Sequence, residues 1–258
     1  MASQPLRALT EYLDQYLRVP EVPDEANAVN GLQVENASGQ VSRIVAAVDG
    51  SLATILSVAR EEAGAALLLV HHGLLWDGNV PVTGRRYQRL RALLEHDIAL
   101  YSAHIPLDVH PEVGNNAVLA RQLGLGSLES FDSYRGIPLG IQGVLQPPES
   151  REGLAGRVER VLGTQVRLIP GGPELSRRVG IITGGAGGRI AAAHAAGLDT
   201  YLTGEGAHHT YFDAMELGMN LIYAGHYATE TVGVKALAAR LGERFGLPWE
   251  FHDHPTGL

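Results

Sequence analysis

The stretch Ala66-Leu67-Leu68-Leu69-Val70-His71-His72-Gly73 decides how the chain is read. An unbroken apolar run bounded by Gly64 and Gly73 predicts a buried strand, and this one stops on two adjacent histidines. In open α/β sheets, groups at the C-terminal ends of strands face a crevice instead of the core. Two further apolar runs finish in the same way, Ile98-Ala99-Leu100-Tyr101-Ser102-Ala103-His104 and Asn220-Leu221-Ile222-Tyr223-Ala224-Gly225-His226. Each is followed four residues later by a carboxylate, Asp108 and Glu230. One histidine at a strand end is ordinarily a satisfied structural residue. Four of them, two with an acid at the same spacing, form the imidazole and carboxylate donor set that suits zinc, iron, nickel or manganese.

The rest of the composition narrows the function classes. The chain has 258 residues, 45% of them hydrophobic and 19% charged, which is enough to bury a substantial core. Cysteine is absent, which excludes disulfides, a thiolate nucleophile and any cysteine-held metal, so metal binding must use His, Asp and Glu. A formal net charge of −8 argues against general nucleic-acid binding, which needs a basic face. A bound divalent cation would still let a small anionic substrate approach. No apolar run reaches the ~18 residues of a membrane span. The N-terminal stretch from Met1 lacks the continuous apolar region of a secretion signal, so a cytoplasmic protein is expected.

Around the organising stretch the pattern is strand and helix in alternation. A helix is expected over Leu6 to Leu17, a strand over Arg43–Asp49, a helix from Gly50-Ser51 to about Ala63, and a helix over Tyr87 to Glu95. The loop between His72 and that helix carries Trp76, which reads either as a cover for the core or as a stacking wall for a ring-shaped substrate. Arg85, Arg86, Arg89 and Arg91 read as a solvated face. Ser127 to Gly136 is turn-rich, and a strand (Ile137 to Leu145), a helix (Ser150 to Leu162, with Ser150 as N-cap) and a second strand (Gln165 to Ile169) follow. A second unit starts at Arg178. Its glycine cluster, Gly184-Gly185-Ala186-Gly187-Gly188, lacks the P-loop lysine and reads as a tight turn into an Ala-rich helix.

The order of elements from Arg43 to Leu125 is repeated from Arg178 to Leu247, and His104/Asp108 match His226/Glu230 in spacing. The expected fold is therefore α/β, with two pseudo-symmetric lobes of mixed sheets and flanking helices and a metal site in the cleft between them. The expected division is a first lobe over 1–126, a β-α-β connector over 127–177 and a second lobe over 178–258.

His71-His72-Gly73, His104-Ile105-Pro106-Leu107-Asp108, Gly114-Asn115-Asn116, Thr203-Gly204-Glu205 and Ala224-Gly225-His226-Tyr227-Ala228-Thr229-Glu230 together resemble the GTP cyclohydrolase 1 type 2 homologue family, in a short form without the domain some members insert. The resemblance runs over nearly the whole chain. It implies two divalent ions per chain, with His71, His72, Asp108, His226 and Glu230 as ligands and Glu230 bridging. It also implies a ring-shaped homohexamer. Five ligands on two ions leave positions for water or substrate, which leans towards a metal-dependent hydrolase of a small nucleotide-like molecule. The alternative is a non-enzymatic metal-binding regulatory or assembly protein that acts through protein partners. His104 is left with three roles: holding a ligand in place, binding metal itself, or shuttling a proton. Glu205 has two, fixing the tautomer of a ligand histidine or serving as the N-terminal acid of the helix starting at His208.

Overall fold

The computed structural model describes residues 3–61 and 63–258. Met1 and Ala2, part of the stretch read for a secretion signal, and Glu62, within the expected end of the second helix, lie outside the described residues. The chain forms two units, Met1–Val113 with Gly233–His254, and Gly114–Val232 with Pro255–Leu258.

In the first unit the elements are β1 (Gln4–Pro5), α1 (Leu6–Tyr16), β2 (Gly31–Val34), β3 (Gln40–Val41), β4 (Arg43–Asp49), α2 (Leu52–Arg60), β5 (Ala66–His72), α3 (Gly84–Glu95), β6 (Ile98–Ser102) and the single turn α4 (Ile105–Asp108). The second unit continues with α5 (Asn115–Gln122), β7 (Gly126–Tyr134), β8 (Ile137–Ser150), α6 (Arg151–Leu162), β9 (Arg167–Pro170), β10 (Leu175–Ile181), α7 (Ile190–Ala195), β11 (Thr200–Thr203), α8 (Thr210–Leu217) and β12 (Asn220–Tyr223). Helix α9 (His226–Phe245) begins in the second unit, and β13 (Trp249–Phe251) completes the sheet of the first.

The first sheet has the order β13-β4-β5-β6-β2. Strands β13, β4, β5 and β6 are parallel and β2 is antiparallel at the edge. Parallel strands covered on both faces read as continuous apolar runs. Accordingly Leu67, Leu68, Leu69 and Val70 are fully buried, each contributing roughly 1.5–3 kcal/mol by leaving water. On one face Leu68, Val70, Val45 and Leu100 pack with Ile55 and Val58 of α2 and Leu93 of α3.

The second sheet, β7-β8-β10-β11-β12-β9, repeats the central device. Strands β10, β11 and β12 are parallel, and β9 runs antiparallel beside β12 as β2 does beside β6. One backbone bond marks the equivalence. Ala103 N donates to Val70 O at 2.9 Å in the first sheet, and Ala224 N donates to Thr203 O at 2.9 Å in the second.

Three expectations change. Residues 127–177 are not a connector, because β8 pairs along β10 and β9 along β12, which places the segment inside the second sheet. The second unit accordingly starts at Gly114, and β13 returns to pair with β4. The turn-rich stretch from Ser127 to Gly136 is mostly strand β7, an edge strand on which only Phe131 is buried. It joins β8 through Arg135-Gly136, with φ of 47° and 87°, the two positive values that a primed hairpin turn requires. Helix α9 begins at His226 itself, which puts His226 and Glu230 one turn apart at its start. The expected cap on α6 is present, with Ser150 Oγ accepting from Gly153 N at 3.1 Å.

Candidate functional site

Register in the first sheet assembles one group of side chains. Asp49 at the end of β4 lies opposite His72 at the end of β5, and Ser102 of β6 lies opposite Val70. His71 is fully buried, and its Nδ1 lies 2.8 Å from Ala103 O. His72 Nδ1 lies 2.9 Å from Asp49 Oδ1, and His104 Nδ1 lies 2.7 Å from Asp24 Oδ1. A carbonyl or carboxylate at Nδ1 selects the tautomer with the proton there and leaves the Nε2 lone pair for a metal. Each of the three rings offers one ligand atom, and those atoms lie within 4.8 Å of one another. Asp108 Oδ1 stands 3.7 Å from His71 Nε2.

Asp24 is the hub beneath His104. It also accepts from Ile105 N at 2.9 Å and Asn30 Nδ2 at 2.8 Å, while Asn30 Oδ1 takes the His104 backbone N–H at 2.7 Å. Burial works against the charge on Asp24, but the bonds from His104 and Asn30 outweigh it and hold the carboxyl below its ordinary range.

The second unit builds a smaller group at the start of α9. His226 and Glu230 face each other one turn apart, with Nε2 and Oε1 at 3.2 Å, and Glu205 Oε1 lies 2.7 Å from His226 Nδ1. The Glu230 side chain is only 4% exposed. The hydrogen bond to Glu230 is the main cause that raises the His226 imidazole to about 9. Burial opposes it, and Glu205 adds to it. In the metal-free protein a proton on His226 thus compensates the buried carboxylate, and a metal at Nε2 would displace that proton.

Gly184 closes this corner from the glycine cluster. Its φ is +70°, and a Cβ there would come within 2.3 Å of Glu230 Oε1. Its N–H donates to Thr229 Oγ1 at 3.0 Å, which clamps the loop to the first turn of α9. The cluster is thus a close-packing device against the carboxylate.

The structure brings His71, His72, His104 and Asp108 together in the first unit, and His226, Glu230 and Glu205 in the second. The equal spacing of His104/Asp108 and His226/Glu230 conceals different pairings, because Asp108 turns to His71 whereas Glu230 turns to His226. Gly225, at φ +85°, adds one residue between Ala224 and His226, where His104 follows Ala103 directly. Glu205 is placed as the acid at His226 Nδ1. Sequence reasoning missed Asp49 and Asp24 as supports. Asp49 had a signal, since a strand ending on an acid next to one ending on histidine puts the two side by side in register. Asp24 had none.

Two α/β units, each with histidine and carboxylate groups gathered at strand ends or a helix start, define a protein with candidate metal-binding sites on a repeated α/β plan. The chain belongs to the Duf34/NIF3 (NGG1p interacting factor 3) family, which it matches over residues 5–256. It is 46% identical over 250 residues to a Deinococcus radiodurans protein named GTP cyclohydrolase 1 type 2 homolog, covering 97% of this chain and 93% of that one. It is 43% identical over 251 residues to a protein of the same name from Pyrococcus abyssi, covering 97% and 98%. A solved structure from Thermus thermophilus is 42% identical, with a TM-score of 0.89 over 99% of this chain and 100% of that one. Reduced HcgD from Methanocaldococcus jannaschii is similar at 26% identity, with a TM-score of 0.83 over 98% and 100%. No helix among the described residues is long and apolar enough to cross a membrane.

Proposed function

We propose that the protein is a dinuclear divalent-metal hydrolase of a small nucleotide-like molecule, holding two ions per chain through His71, His72, Asp108, His226 and Glu230. The observation that carries this reading is the common posture of the histidines. In each of His71, His72, His104 and His226 an oxygen acceptor lies at Nδ1, which reserves Nε2. Such outer partners are the usual company of metal-binding imidazoles. When bound, divalent ions supply an activated water and polarise the bond it attacks. The chain's own part is to hold the imidazoles rigid through Ala103, Asp49, Asp24 and Glu205, and to place the Asp108 and Glu230 carboxylates where positive charge must be balanced. His104, fixed by Asp24, offers Nε2 beside His71 and His72 as a further donor or as a proton carrier. The name of the relatives, GTP cyclohydrolase 1 type 2 homolog, supports a nucleotide-like substrate. A homohexamer in the cytoplasm belongs to the same proposal.

The test is metal analysis of the purified protein, followed by a substrate screen with the recovered metal restored. Asp108→Ala is expected to reduce turnover of the substrate so found by more than the ~10–100-fold that losing an outer partner costs. Its circular dichroism should remain that of the wild type. The family description, which names an interacting factor, favours a second reading as a regulatory or assembly protein working through partners. A fully metallated protein that hydrolyses no nucleotide, phosphoester or cyclic amide would select that reading.

A further inference from the structure

The chain contains a second histidine pair, His208-His209, which belongs to none of the histidine and carboxylate clusters among the described residues. The pair leads into α8, where the second unit forms a cavity of about 340 Å³ against β9 and β12. That volume is at the small end of the roughly 300–1,000 Å³ typical of ligand pockets. The lining combines one cation, Arg167, with the rings of His208, Tyr211, Phe212 and Tyr223.

Strand register sets the inner side. Arg167 of β9 stands opposite Tyr223 of β12, and Ile169 stands opposite Leu221, so these alternate residues share one face of the sheet. Ile169 and Leu221 are buried in the core of the unit, and Tyr223 packs against that core. The Tyr223 hydroxyl is held as well. Thr210 Oγ1 gives its one hydrogen to Ala207 O at 2.6 Å, so the phenol is the donor in its bond to Thr210. A Cβ on Gly206 would collide with that phenol oxygen, so glycine lets the backbone ahead of α8 pass close over the ring.

The outer side is aromatic and uncovered. His208 and Phe212 meet edge to face at 5.6 Å between centroids, and Tyr211 and Phe212 do so at 5.4 Å. An edge-to-face pair engages one face of one ring, so this trio keeps aromatic faces for a further ring. Tyr211 and Phe212 are 41% and 51% exposed. Arg167 is also exposed, and no acid pairs with it among the described residues. Its guanidinium presents a planar fork of donors that fits a carboxylate or a phosphate. A cation fixed on a strand beside open ring faces, all lining one cavity, suits a flat ring that carries an anionic group.

We propose that this cavity is a second ligand site for a small planar aromatic acid, a ring bearing a carboxylate or a phosphate. The ring lies against Tyr211 and Phe212, and the anion meets the Arg167 guanidinium. The site is separate from the metal groups, and it stands whether or not the chain holds metal.

The test is calorimetric titration of benzoate and, separately, phenyl phosphate into the wild type, Arg167→Gln and Phe212→Ala, with and without chelator. Cyclohexanecarboxylate supplies an anion on a ring that is not flat, and inorganic phosphate an anion with no ring. The wild type is expected to bind benzoate or phenyl phosphate at one site per chain, and the tighter of the two identifies the anionic group. Both control anions should bind more weakly. Each variant should lose about tenfold or more, the size of a lost charged hydrogen bond or aromatic contact. Both substituted side chains are exposed, so the melting temperature should stay that of the wild type. Chelation should leave the affinity unchanged. A wild type that binds neither aryl anion, variants that bind as it does, or cyclohexanecarboxylate bound as tightly as benzoate would overturn the site. Binding that chelation abolishes would also overturn it, by moving the ligand to the metal groups. So would failure to bind together with a lower assembly mass for Phe212→Ala in sedimentation, which would make this face a contact between copies.

Discussion

Glu230→Gln is expected to hold at most one metal ion per chain, against the two expected of the wild type. The Glu230 carboxylate is almost fully buried, with His226 Nε2 at 3.2 Å and the Gly184 backbone packed so tightly that a Cβ at Gly184 would meet Oε1 at 2.3 Å. Burying a carboxylate in such a place requires a cation at hand. Glutamine fits the same volume, but it carries no charge and turns one end of the group into a donor, which no cation accepts. The change therefore removes the ligand without opening a cavity. His71→Ala and His72→Ala should each weaken one ion and spare the other. Mass spectrometry of the native protein reads all three variants, and two tightly held ions in Glu230→Gln would show that Glu230 is dispensable and turn attention to Asp108.

Asp24→Ala is expected to weaken metal binding by the first histidine group about 10–100-fold and to destabilise the metal-free protein by about 3 kcal/mol. One carboxylate accepts from His104 Nδ1, Ile105 N and Asn30 Nδ2, so its removal strands several buried donors at once. It also frees the His104 ring to rotate and to choose the other tautomer. Asp24→Asn keeps the shape and one oxygen, and it should fall between the wild type and Asp24→Ala in both respects. Chelator competition measures the affinity, and urea unfolding of the chelated protein measures the stability. If Asp24→Ala binds metal as the wild type does, His104 takes no part in the site.

What could be read in the sequence, and what could not, follows from where each group gets its neighbours. Strands β4, β5 and β6 are buried in a parallel sheet, so their apolar runs announce them and the histidines at their ends stand out. The start of α6 was marked by Ser150 in the same local way. Strand β7 gave no such signal, because an exposed edge strand can be built of Gly, Ser, Asp and Glu and still pair along β8. Asp24 lies in an irregular segment, 80 residues from the histidine it supports, and no periodicity connects them. The equal spacing after His104 and His226 pointed correctly to a repeat. It could not reveal that one acid turns to His71 and the other to His226, because the extra Gly225 changes how the chain leaves the strand. The unit boundaries were illegible for a related reason, since β13 joins β4 from the far end of the chain.

The central claim is that these imidazoles and carboxylates hold divalent metal. Anomalous diffraction at the absorption edge of whichever metal copurifies tests it most directly. The account predicts two anomalous peaks per chain, at ordinary metal–nitrogen distances of about 2.0–2.1 Å from Nε2 of His71, His72 and His226, with Nδ1 of each still hydrogen-bonded. Metal-replete crystals without peaks at these nitrogens, or with metal on the Nδ1 side, would contradict it.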